Sequence, residues 1–164
     1  MINKNLGLVA FFILLISCTT EESPKAQLSN PGFGVIETSI SRDVNTTNLP
    51  VLIKTDQVIK GLQFTLTWDG TAAKIGQPQL TGLNSKFTVS VGKASAGQMK
   101  VLVFSMTGEA LDTSEPVFMT IPVSILDSET EEISIFFNKA VFAGPNASSY
   151  DIPVTHAQLK VKNS

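Results

Sequence analysis

One thiol, one imidazole and scattered carboxylates are the groups from which this chain could build chemistry. Cys18 is the only cysteine and His156 the only histidine among 164 residues. A zinc site needs several such ligands at close spacing, so none is expected. A nucleophilic serine would need His156 as its base, and no serine stands in the G-x-S-x-G elbow that presents such a hydroxyl. Two carboxylates run glycoside hydrolysis when they lie about 5 to 9 Å apart, a distance that sequence does not fix. Glu129, Glu131 and Glu132 precede Ile133 as a charge run, the pattern of a solvated loop or of edge protection. Asp127-Ser128-Glu129 with Glu131 has oxygens for calcium but lacks the complete loop motif. The expectation is a protein that is not an enzyme, with no catalytic residue, no metal and no cofactor.

Cys18 has a more specific use. Lys4 is followed by an apolar run from Leu6 to Ile16, far short of the roughly 20 residues that span a bilayer. Its end, Leu15-Ile16-Ser17-Cys18, resembles the bacterial lipobox. That resemblance implies that residues 1–17 are a lipoprotein signal peptide, removed before Cys18, and that the Cys18 thiol carries diacylglycerol with palmitate-like chains. Each buried methylene contributes about 0.8 kcal/mol, so the anchor holds its membrane. Residues 18–32, rich in Ser, Thr, Glu and Pro and without apolar periodicity, read as a lipidated flexible tether. Glu21 and Glu22 resemble the export signals of Bacteroidetes-type lipoproteins, implying the cell envelope, its outer membrane and the cell surface. A soluble linker is the other reading of the same two residues.

The elements that must position any site come from the remaining 33–164. The formal charge of −2 and the lack of a basic run argue against nucleic acid as partner. From Phe33 onward, apolar residues alternate with polar ones and turn residues recur every 8 to 12 positions, as in an antiparallel sandwich or barrel. Strands are expected over 33–41, 49–55, 61–68, 73–80, 85–91, 98–106, 116–126, 131–142 and 152–162, about nine in all. Leu62, Phe64, Leu66 and Trp68 share one face, which is assigned to the core. Gln63, Thr65 and Thr67 take the opposite face. Pro122, with no backbone donor, is expected at an edge or a bend. Sugar platforms need several exposed rings. Trp68 is read as core, which leaves Tyr150 as the one candidate ring.

Pro50-Val51-Leu52-Ile53 followed by Gly61-Leu62-Gln63-Phe64-Thr65-Leu66-Thr67-Trp68-Asp69 resembles the cohesin domain, in which a V-P-V strand precedes G-x-x-F-x-L-x-Y-D-P. The stretches 98–105, 116–125 and 157–161 follow in the family's order. The resemblance implies an all-β fold, an antiparallel jelly-roll β-sandwich of about nine strands over 33–164. It also implies a dockerin-like protein partner, bound on the outward face of the strand that carries Gln63, Thr65 and Thr67. Gln63 and Gly61 stand where cellulosomal members have Asp and Asn. The expected function is a membrane-anchored binding module for protein. The rival reading is a carbohydrate-binding surface lipoprotein of the same fold, taking a polysaccharide as its partner.

Overall fold

The computed structural model of the protein describes residues 28–163 apart from 37, 45, 93 and 94. The segment 1–17, Cys18 and the tether as far as residue 27 lie outside the described residues. Of the segment read as tether, Leu28 is buried against the domain and Gly32 opens its first strand.

Alternating side chains give each strand one apolar face, and two such faces must cover each other. In chain order the strands are β1 (Gly32–Gly34), β2 (Thr38–Ser41), β3 (Thr47–Lys54), β4 (Gly61–Trp68), β5 (Ala73–Ile75), β6 (Gln79–Leu80) and β7 (Thr88–Val91). They continue with β8 (Gln98–Phe104), β9 (Val117–Ile125), β10 (Glu132–Ala143), β11 (Ser149–Tyr150), β12 (Val154–Thr155) and β13 (Ala157–Lys162). The first sheet runs β12-β1-β3-β9-β5, with β6 also on β9. The second runs β2-β13-β10-β4-β8-β7, with β11 also on β10. Pairing is antiparallel except for β1 with β12 and β13 with β2. The chain forms the expected all-β jelly-roll sandwich.

Among the described residues the nine expected strands become thirteen: two segments divide where the chain changes sheets, one is interrupted within the first sheet, and β11 is an addition. Segment 33–41 divides at Val35-Ile36, where it passes from β1 in the first sheet to β2 in the second. Segment 152–162 divides at His156 in the same way. Segment 73–80 is interrupted at Gly76-Gln77-Pro78, and a 3-10 turn over Gly82–Lys86 precedes β7. Gly34 makes the first crossing possible: its φ is +134°, and a Cβ there would lie 1.9 Å from the Thr155 carbonyl oxygen. A side chain at that position would push β1 away from β12.

Pro122 lies not on an edge strand but in β9, which is paired on both sides. It faces Asn48 of β3, and its other flank meets the gap between β5 and β6. There the Gly76 N–H donates to the Pro122 carbonyl at 2.7 Å, and Gly76, lacking a Cβ that would lie 2.9 Å from the Pro122 Cβ, leaves room for the ring.

Between the sheets, Phe33 packs against Phe64, Phe118, Phe137 and Phe142 with ring centroids 5.1 to 6.0 Å apart. All five rings are essentially inaccessible to solvent. Tilted and edge-on pairs of this kind add to the burial of the rings themselves. The buried polar Asn84 is satisfied. Its amide donates to the Asp112 carbonyl at 2.9 Å and accepts from the Asp112 N–H at 2.8 Å, pinning the loop between β8 and β9.

Candidate functional site

β4 sits in the middle of the second sheet, between β10 and β8. Phe64 and Leu66 point into the core as the alternation requires, and Gln63, Thr65 and Thr67 lie half-buried on the outward face. Trp68 departs from the expectation. At the strand end it is only partly buried, its indole N–H donates to the Ala73 carbonyl at 2.9 Å, and it walls an open cleft of about 240 Å³ with Ile75, Met99 and Leu126. The core stops short of this end of the sandwich, so the ring rests against its rim. Tyr150 is likewise half-buried, at the edge of the core.

Register places the neighbours of the three polar residues. Gln63 stands between Leu102 of β8 and Val141 of β10, Thr65 between Lys100 and Asn138, and Thr67 between Gln98 and Phe136. The Asn138 amide donates to the Thr67 hydroxyl at 2.8 Å, tying β10 to β4 across the face. Leu102, Phe136 and Val141 are 40%, 45% and 45% exposed. The other large apolar side chains exposed among the described residues (Val44, Val58, Leu83, Met106 and Leu126) lie on loops or in the 3-10 turn. Beside Gln63, the residues Leu102, Phe104 and Val141 line an apolar hollow of about 320 Å³, with Lys60 at its rim.

Between Asn138 and Val141, β10 carries one residue more than β4. Ala140 packs toward the core, so the extra residue, Lys139, is left exposed beside the face, in the left-handed region at φ 50°. Non-glycine residues enter that region at a cost of about 1 to 2 kcal/mol. The bulge restores the alternation that turns Val141 outward. The alternation of β4 points to Gln63, Thr65 and Thr67 as outward residues but gives no sign of Leu102, Phe136, Val141 and Lys139 beside them. The run Val101-Leu102-Val103-Phe104 and the pair Phe136-Phe137 look apolar on both faces, and only the register separates the two.

Elsewhere the reactive groups are occupied by structure. His156, exposed at the crossing between β12 and β13, accepts the Phe137 N–H at Nδ1 (3.2 Å) and meets the Phe136 ring edge-on at 5.3 Å. Asp127 accepts from the Glu129 N–H and the Thr130 hydroxyl, so it shapes its own turn. Among the described residues no three Asp, Glu, His or Cys side chains are placed to hold a metal. Asp69 follows β4, and the Thr71 hydroxyl and N–H that donate to it hold its carboxyl below the usual carboxylate range. The Ser114 side chain and N–H do the same for Asp112. Both aspartates close turns.

No protein-family model and no curated protein matches the sequence. Solved structures do match the fold. The sixth cohesin of scaffoldin B from Acetivibrio cellulolyticus, in complex with a dockerin, superposes with a TM-score of 0.64 at 17% identity, over 83% of this chain and 100% of that one. A type I cohesin–dockerin complex from Clostridium thermocellum gives 0.63 at 15% identity, over 88% and 99%. A non-cellulosomal cohesin from the archaeon Archaeoglobus fulgidus gives 0.61 at 9% identity, over 80% and 88%. The sandwich described above is the cohesin fold.

Proposed function

We propose that this chain is a non-catalytic module, anchored to the cell envelope through lipid on Cys18, that holds a dockerin-like protein partner on the outward face of the second sheet. One observation carries the reading. The three large apolar side chains exposed on described strands, Leu102, Phe136 and Val141, all lie on that one face, around Gln63, Thr65 and Thr67. Exposed apolar groups gathered on a small polar surface are what a protein interface buries. Cohesins of the same fold in complex with dockerins support it. A glycan platform would need a row of exposed rings, and Phe136 is the one large exposed ring on this face.

The test places a photo-crosslinking side chain at Gln63 in the full chain, expressed in the producing cell, with the same group at Asn48 on the outer face of the first sheet as control. A protein adduct from Gln63 and none from Asn48 is the expected result. No adduct at Gln63, or the same adducts from both sites, overturns the reading. Specific glycan-array binding without a protein adduct would favour the carbohydrate rival.

A further inference from the structure

The docking face is cationic around Gln63 and Thr65 and turns acidic beyond Phe136, where Asp69, Glu131 and Glu132 line a neighbouring hollow. Lys100 lies beside Thr65, Lys139 projects from the bulge next to Val141, and Lys60 borders the apolar hollow. The outward positions of β7, β8 and β4, and those of β10 beyond Glu132, hold no Asp or Glu. Glu132 stands opposite Lys160 at the far end of β10, and Glu109, off the sheet, pairs with Lys86 at 3.1 Å. A chain whose net charge is −2 therefore gathers cations on the part of the face that exposes Leu102 and Val141, and the row at Lys100 separates that part from the acidic hollow beyond Phe136.

The apolar groups have a spacing as well. Leu102 and Val141 flank Gln63, while Phe136 lies beside Thr67, four residues along β4. At about 3.3 Å per residue the two apolar points are about 13 Å apart, and the Lys100–Thr65–Asn138 row lies between them.

Resting on the docking reading above, we propose that the partner is an acidic protein surface. It presents two apolar contacts about 13 Å apart, one filling the hollow at Gln63 and one meeting Phe136, with carboxylates between them facing Lys100 and Lys139. Apolar contacts supply the desolvated centre of such an interface, and complementary charge around them selects the partner and speeds encounter. Exposed ion pairs are weak singly and screened by salt, so the signature is a salt-dependent affinity lost when both lysines are reversed.

The probe is the protein recovered as the Gln63 photo-adduct, purified and titrated against the full chain at 50 and 300 mM salt. Lys100→Glu with Lys139→Glu should weaken binding about tenfold or more at low salt, and less at high salt. Lys100→Gln with Lys139→Gln should fall between wild type and the reversal. Reversing a partner carboxylate to Lys should recover part of the loss in the Glu variants. Equal or tighter binding by the Glu variants, or an affinity indifferent to salt, overturns the acidic partner and leaves the docking face standing. Absence of any Gln63 adduct removes both.

Discussion

Phe33→Ala should cost about 3 to 5 kcal/mol of stability, the range for emptying a buried phenylalanine site. Phe33 is the ring that the other four share, with contacts to Phe64 and Phe142 at 5.3 and 5.1 Å and to Phe137 and Phe118 at 5.5 and 6.0 Å. It also sits on β1, a strand of three residues that holds its place between β3 and β12 by backbone pairing and this one buried side chain. Neighbours in both sheets would have to close the void, and the short strand offers nothing else to hold them. Domains of this size are stable by about 5 to 15 kcal/mol, so the loss is a large share. Urea unfolding measures it, with Phe136→Ala as the exposed counterpart expected to cost under about 1 kcal/mol. Similar small losses for both would place the core elsewhere.

Cys18→Ser should abolish lipid attachment. The resemblance of Leu15-Ile16-Ser17-Cys18 to a lipobox gives the thiol as acyl acceptor, and the chain has no second cysteine to substitute for it. Two acyl chains at about 0.8 kcal/mol per methylene contribute gross anchoring on the order of tens of kcal/mol. The variant should lose all incorporation of radiolabelled fatty acid and accumulate uncut or released. Undiminished labelling in the Ser variant would contradict the anchor.

The fold was legible because this sandwich is written in period two. Phe64 and Leu66 alternate with Thr65 and Thr67, and turn residues such as Asp69-Gly70 mark the strand ends. The sheet crossings were not legible. Val35-Ile36 and Thr155-His156 continue a strand-like composition through a point where the chain leaves one sheet for the other, and a local pattern cannot show which sheet a strand joins. Pro122 misleads for a related reason, since the break that accommodates it is in the neighbouring strand, at Gly76-Gln77-Pro78.

The candidate site divides the same way. Its polar half, Gln63, Thr65 and Thr67, lies on one strand whose alternation is regular. Its apolar half comes from β8 and β10, which register alone brings alongside. The bulge at Lys139 turns Val141 outward, and nothing in Asn138-Lys139-Ala140-Val141 announces a left-handed residue, since the usual glycine is missing. Alternation alone puts Trp68 in the core, but alternation does not show where a core ends.

The docking face is tested most directly by titrating the Gln63 photo-adduct protein against Leu102→Asp and Val141→Asp, with urea unfolding of each variant alongside. Both side chains are less than half exposed, at 40% and 45%, yet an Asp at either position keeps its carboxylate in water, so folding stability should fall by only about 1 to 2 kcal/mol. A carboxylate placed in the apolar hollow should weaken binding more than tenfold in each variant. Folded variants that bind the partner as tightly as wild type would contradict the assignment of this face.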